Sequence, residues 1–262
     1  MTGLFCGTLT GLTASFGSVV SGSLVRYLLG LRPARAAATA LATTFFGALT
    51  ALTTYSHHHK VSWGVGALLA ITQILGVSFA ERRALALKST PALRMFWSIL
   101  GIAAGVAMVA CSGAVATLSK HAPAIPILHT TLGMFAWIVL VGVVVGALSQ
   151  IMDLGGVLIV PACLLLLGLD PTMAQGTALF GLLLVSLPGV LIYSRTGDID
   201  FGSVAWMSLG ALFGGLVGAW VVFTKLSPPM VVSVFGVAFA LIAVGRFLGA
   251  GTPREQPPDG AQ

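Results

Sequence analysis

Long apolar runs separated by short polar loops dominate the pattern of the chain. About 20 helical residues cross the hydrocarbon core of a bilayer, so a run of that length predicts one transmembrane helix. Six runs have this length, and two are longer than one crossing requires. The eight apolar tracts lie at roughly 3–30, 34–56, 61–80, 92–118, 133–169, 172–194, 201–224 and 228–249. The pattern predicts an all-α polytopic membrane protein.

The composition agrees with this class and argues against others. Hydrophobic residues make up 57% of the chain and charged residues 8%, whereas about a quarter of the residues of a soluble domain are charged. The net charge of +6 comes from a few loop Lys and Arg, which membrane topology explains more simply than nucleic-acid binding. All five His lie in loops and the three Cys lack pair spacing. We therefore expect no enzyme site, metal, cofactor or disulfide.

The second long tract contains residues that a helix filling a membrane would lack. They are Gln150, Asp153, the pair Gly155-Gly156 and Pro161. Glycine and proline weaken or break a helix, and a broken helix is tolerated in lipid only where it is buried in protein or lines a cavity. We expect this stretch to form half of a substrate site near the bilayer midplane.

An internal repeat with a period of 138 residues relates the two halves. Leu29–Leu41 aligns with Leu167–Leu179, and eight of the 13 positions are identical. The register continues without a gap, so that Gly17, in a serine- and glycine-rich run, meets Gly155. The sequence therefore predicts a duplication. Its parts are a first repeat at 1–118, a connector at 119–132, a second repeat at 133–250 and a disordered tail at 251–262.

The positions of Lys and Arg distinguish between two possible membrane topologies. If each long tract crosses once, the chain has eight crossings, the halves are parallel, and the loop cations divide seven to five. If each long tract dips in and returns as two half-helices, three transmembrane helices follow in each half and the halves are inverted. The division then becomes nine to three, with Lys60, Lys120 and Lys225 on the poorer side. Because cytoplasmic loops collect Lys and Arg, we favour inverted repeats in a cell inner membrane, with both termini cytoplasmic.

The inverted arrangement predicts an anion site. The second half-helix of each repeat would begin at the midplane, so two amino ends, near 17–21 and 155–159, would present N–H groups and partial positive charge to one cavity. Hydroxyl and amide side chains would add donors. Arg26 would add a charge, unless its guanidinium snorkels to the interface. The predicted substrate-binding residues are Ser15, Gly17, Ser18, Ser21, Arg26, Thr39, Gln150, Asp153, Gly155, Gly156, Pro161, Gln175 and Thr177.

Asp153 has two interpretations. A carboxyl group among apolar residues can hold a proton at neutral pH, which makes Asp153 a candidate proton carrier in transport coupled to a pH gradient. A side-chain oxygen at this position can equally cap the half-helix that begins at Gly155. The sequence leaves both open.

The second half resembles the TauE/SafE family of sulfite exporters, also called sulfonate permease-like transporters. The family pattern is a glycine cluster with Val-Pro, then Gly-x-x-Pro-x-x-Ala-x-Gly-Thr, then a Gly-x-[Val/Ile]-Asp-[Trp/Phe] loop. In this chain the pattern corresponds to Gly155-Gly156 with Val160-Pro161, to Gly168–Thr177 and to Gly197–Phe201. The first half departs from it, since Ala38 replaces the glycine before Thr39.

The resemblance covers nearly the whole chain and implies a function. It implies a secondary transporter that exports sulfite or an organosulfonate, with the lipid bilayer, a small anion and protons as the expected partners. Uptake of organic sulfonates or carboxylates is the alternative. Transport of a metal ion is a weaker alternative, because the apolar tracts contain a single carboxylate and scattered thiols.

Overall fold

The computed structural model describes the chain except residues 31–32, 89–90, 119–130, 153–154, 197–200 and 250–262. Every regular element in the described part is helical. The helices are α1 (Thr2–Thr13), α2 (Phe16–Leu29), α3 (Pro33–His57), α4 (Trp63–Lys88), α5 (Pro91–Ala110), α6 (Ser112–Leu118), α7 (Thr131–Met152), α8 (Ile159–Pro161), α9 (Pro171–Thr196), α10 (Phe201–Lys225) and α11 (Pro228–Gly249). A 3₁₀ turn at Gly155–Leu158 precedes α8, and a π-helical turn at Ala162–Leu166 follows it.

Six of these helices are long and apolar enough to cross a membrane, namely α3, α4, α7, α9, α10 and α11. The apolar part of α5, Met95–Ala110, is shorter, and the predicted tract 92–118 is divided at Cys111 into α5 and α6. Large apolar side chains such as Phe79 and Trp206 are about 80% exposed, as lipid-facing residues are. The prediction of an all-α polytopic membrane protein is confirmed.

The first long tract is a pair of short helices joined by a tight turn. α1 ends at Thr13, Ala14 adopts a left-handed backbone with φ 65°, and α2 begins at Phe16. Gly17 then lies against Cys6 of α1, although 11 residues of straight helix would separate the two by about 16 Å. At 12 and 14 residues, α1 and α2 are about 18 and 21 Å long, short of a core of about 30 Å. The tract folds back on itself.

The second long tract is also interrupted, but the helix before the interruption is longer than the predicted half-helix. α7 has 22 residues and is itself long enough to span. Its interior from Thr131 to Ser149 contains no proline or charge, so nothing ends the helix before the Asp153–Gly156 region. The chain then returns along α7, because Trp137 Nε1 donates a hydrogen bond to the carbonyl of Leu166 at 3.0 Å.

The segment that runs back along α7 changes its helical geometry around Pro161, from a 3₁₀ turn to a short α-helix and then a π-helical turn. Proline has no N–H to donate, so it removes one bond from the helical ladder. The following turn widens to π geometry, and it is closed by hydrogen bonds from the N–H of Leu167 to Ala162 O at 3.2 Å and from the N–H of Leu169 to Cys163 O at 3.0 Å. Pro161 therefore changes the geometry of this helical segment without ending it.

Two parallel helix pairs are packed through glycines. Along α1, Gly7 faces Ala211 and Gly11 faces Gly215 of α10. In the pair of α4 with α7, Gly146 faces the backbone of Gln73. A Cβ atom at any of these three glycines would collide with the backbone of the other helix. Small residues allow this approach, and dispersion contacts over the whole interface hold such pairs together in lipid.

A further contact between the two halves is the crossing of α3 and α9. The carboxyl end of α3 lies beside the amino end of α9, since Tyr55 contacts Gln175. Nearer the other end, Leu41 of α3 contacts Gly189 of α9. The two helices therefore run antiparallel, with their central parts buried between the glycine-packed pairs.

Candidate functional site

Four buried hydroxyl groups lie on α2 and α3. Ser21, Thr39, Thr43 and Thr44, here called the hydroxyl cluster, are at most 4% exposed. Ser21 Oγ lies 3.3 Å from Thr44 Oγ1. Thr43 and Thr44 also donate to the carbonyls four residues earlier, at 2.9 and 2.8 Å. That bonding makes threonine tolerable in a buried helix, and it uses the single hydroxyl hydrogen of Thr43 and of Thr44.

The amino end of α2 is buried near this cluster. Ser15 and Phe16, at the start of α2, are 1% and 0% exposed. Ser15 Oγ donates to Thr13 O at 3.4 Å, and Gly17 permits the close approach of α2 to Thr10. A helix amino end carries partial positive charge, which is worth more away from water. α2 also touches Gly155–Leu158, so segments that follow the two breaks are in contact, and a cavity shared by their amino ends stays a prediction.

The carboxyl end of α1 is capped by side chains from two other helices. Gln175 Nε2 donates to Leu12 O at 3.0 Å. Tyr55 Oη donates to Gln175 Oε1 at 2.7 Å and lies 3.2 Å from Gly11 O. The last carbonyls of a helix have no partner within it, so these two side chains satisfy groups that would otherwise be buried unpaired. Gln175, predicted as a donor to substrate, already bonds to the protein through both amide atoms.

The loop between α3 and α4 covers the amino end of α9. Lys60 Nζ lies 3.3 Å from Asp170 Oδ2, with the two side chains 39% and 30% exposed. The backbone N–H of Ser62 donates to Thr177 Oγ1 at 3.1 Å. Gly176 lies directly against the carbonyl of Lys60. Thr177, also predicted to bind substrate, therefore accepts a bond from this loop.

The other predicted residues that the structure describes are Arg26, Gln150, Gly155, Gly156 and Pro161. Arg26 is exposed on α2, which agrees with the snorkelling interpretation. Gln150 and Pro161 are half-buried. Gly155 and Gly156 open the 3₁₀ turn. Asp153 and the side chain of Ser18 lie outside the described part.

A small cavity borders Gln175 on the side of α11. Its volume is about 10 Å³, and the seven other lining residues are apolar, from α5, α8, the π-helical turn, α9 and α11. Such a space holds about one water molecule, which is smaller than sulfite. It differs from the polar chamber that the sequence predicts.

Sequence reasoning missed three residues at these contacts. They are Tyr55, Lys60 and Asp170, none of which is among the predicted site residues. The available signal for Asp170 was its place directly before Pro171, where an acidic residue begins a helix. Among the described residues, no three or more His, Cys, Asp or Glu are grouped to hold a metal.

Comparison with known proteins identifies the family. The family model described as "Sulfite exporter TauE/SafE" matches residues 2–246. No curated protein and no solved structure matches the chain. The match agrees with the six apolar helices and covers nearly every residue of both halves. The chain therefore belongs to the TauE/SafE family of membrane transporters.

Proposed function

We propose that the chain is a secondary transporter that exports a small sulfur oxyanion, either sulfite or an organosulfonate. The observation that carries this proposal is the family match over residues 2–246 in a chain with six membrane-spanning candidates. Uptake of organic sulfonates or carboxylates by the same path is the second candidate, because helix amino ends attract any small anion.

The anion site that we propose lies beside the amino end of α2. Support comes from the burial of Ser15 and Ser21 and from the contact between α2 and Gly155–Leu158. If the amino ends of these two segments lie together, their N–H groups would favour negative charge at one site. Ser18, Thr39 and Gly156 would complete the lining. Gln175 and Thr177 would contribute by holding α1 and the α3–α4 loop in place.

The inverted repeat is the topology that we propose for this path. Helix starts recur at the offset of 138, with Pro33 matched by Pro171 and Trp63 by Phe201. The matched helices α3 and α9 run antiparallel, as inverted copies must. His58 stacks on Phe223 with ring centroids 4.0 Å apart, which supports a common side for the α3–α4 loop and the end of α10.

Flux measurements test the transport proposal. We expect liposomes containing the purified protein to exchange radiolabelled sulfite or a sulfonate. Ser21→Ala should raise KM about 2- to 13-fold, the equivalent of one hydrogen bond at about 0.5–1.5 kcal/mol. Ser78→Ala is the matched control, because Ser78 is exposed and bonds only within α4 to Ile74 O in the described structure. Flux of carboxylates or divalent metals without sulfite or sulfonate would reject the proposed substrate class.

Proton coupling through Asp153 is a separate part of the proposal. Asparagine caps helices about as well as aspartate but cannot exchange a proton. We therefore expect Asp153→Asn to abolish the stimulation of flux by a pH gradient while anion exchange without a gradient continues. A protonophore added to wild-type protein is the control. Unchanged stimulation in the variant would leave Asp153 with a capping role.

A further inference from the structure

The ends of three helices come together around a small buried cluster. Val25 near the end of α2, Ala36 at the start of α3 and Met207 on α10 pack together and are at most 7% exposed. Further along the same two helices, Gly47 of α3 lies near Ala211 of α10, so α3 and α10 run in the same direction. The membrane-spanning parts of both helices therefore begin at this end.

The residues directly beside this cluster are exposed cations and aromatic side chains. They are Arg26 and Tyr27 on α2, Arg35 in the first turn of α3, and Trp206 on α10, here called the arginine patch. Tyr27 and Trp206 are 88% and 80% exposed. The span of α10 begins at Gly202, so Trp206 lies about 6 Å inside it. Tyrosine and tryptophan are enriched at this depth, where an apolar ring and a polar group are both accommodated.

The positive charge of the patch is uncompensated. Among the described residues, no acidic side chain lies within ion-pair distance of Arg26 or Arg35. The ion pair of Lys60 with Asp170 lies past the opposite end of α3. Arg35 is also close to the positive end of the α3 dipole, which makes a further cation there unfavourable unless an anion is near. The patch therefore attracts negative charge at the level of the membrane surface.

We propose that the arginine patch binds the headgroup of an anionic phospholipid. A guanidinium group matches a phosphate group because its fork can form two parallel hydrogen bonds, and arginines on α2 and α3 would hold one headgroup together. A lipid suits the patch better than a dissolved anion, because Tyr27 and Trp206 offer apolar rings beside the arginines. The bound lipid would fasten α2, which is too short to span the membrane, to the ends of α3 and α10. This inference concerns the surface of the protein and is independent of the transported anion.

Lipid titration tests the assignment. Purified protein in neutral detergent is titrated with phosphatidylglycerol or with phosphatidylcholine of the same acyl chains, and thermal unfolding reports binding. We expect phosphatidylglycerol to bind more tightly. Arg26→Gln and Arg35→Gln should each weaken its binding about fivefold, the equivalent of about 1 kcal/mol for one cation near an anionic headgroup. Lys225→Gln removes an exposed cation at the other end of α10 and is the matched control. Equal affinity for the two lipids, or an equal loss in the control, would overturn the proposal.

Fluorescence quenching locates the lipid without any transport substrate. Brominated phosphatidylglycerol is added as a minor component of phosphatidylcholine bilayers, and the quenching that is lost in Trp206→Phe is assigned to Trp206. We expect this part to exceed that from the same fraction of brominated phosphatidylcholine, and the excess to disappear when Arg26 and Arg35 are both replaced by Gln. Absence of the excess in wild-type protein contradicts a lipid at the patch. Its loss on adding inorganic phosphate, but not chloride of equal ionic strength, would instead assign the patch to a dissolved anion.

Discussion

Gln175 illustrates how much a single buried amide reveals from sequence. Its place in an apolar tract indicates a polar partner, because an unpaired amide in such a setting is costly. The partners, Leu12 O and Tyr55 Oη, are 163 and 120 residues away in sequence. No local pattern identifies contacts of that separation, so the sequence could not distinguish a ligand from a cap. Burial of Thr39 and Ser21, by contrast, follows from their place within helices of a tight bundle.

The capping role of Gln175 predicts a loss of stability on truncation. Gln175→Ala removes the donor to Leu12 O and the acceptor for Tyr55, and it leaves both buried. We expect the free energy of unfolding to fall by about 1–3 kcal/mol. Tyr55→Phe, which keeps the ring contact with Phe223, should lower it by about 1 kcal/mol. Thermal unfolding in detergent measures both. Ser78→Ala should lie within about 0.5 kcal/mol of wild type, and a similar value for Gln175→Ala would contradict the cap.

The sequence predicts where the helices begin and end more accurately than which of them span the membrane and which helices they pack against. Breaks were expected near residues 15–21 and 153–156, and the helices end and resume there because of Ala14–Ser15 and the Gly155-Gly156 pair. The length of α7 was not predicted, because apolar composition alone does not show where a limb reaches the membrane surface. The Gly7-x-x-x-Gly11 spacing in α1 is typical of close helix packing. The partners of these glycines on α10 could be found only once α1 and α10 were placed together.

The glycine contacts between α1 and α10 predict that adding a single methyl group at this interface destabilises the protein. A Cβ atom at Gly7 would collide with the backbone of Ala211, so the helices would have to move apart. We expect Gly7→Ala to destabilise the protein by about 1–3 kcal/mol. Gly245→Ala is the matched control, because a Cβ there meets nothing within 4 Å and alanine favours helix by about 1 kcal/mol. Equal melting temperatures for the two variants would show that α1 and α10 are not closely packed.

At the scale of the molecule, the distribution of positive residues carried most of the topological prediction. It favoured a common side for Lys60 and Lys225, against the parallel model. The stacking of His58 on Phe223 brings the two neighbourhoods together. The number of crossings was harder to predict, since α1 and α2 together have the length of one long tract. A fold-back within such a tract leaves hydropathy unchanged, because both limbs are as apolar as a straight helix.

Cysteine labelling distinguishes inverted from parallel halves. In a background without native cysteine, His59→Cys and Lys225→Cys should react with a membrane-impermeant maleimide from the same side, because their neighbours His58 and Phe223 are in contact. Lys88→Cys, at the other end of α4, should react from the opposite side. Parallel halves would instead put positions 88 and 225 together. Intact cells report one side and permeabilised cells both, so reaction of His59→Cys alone in intact cells would contradict the inverted topology and with it a shared site beside α2.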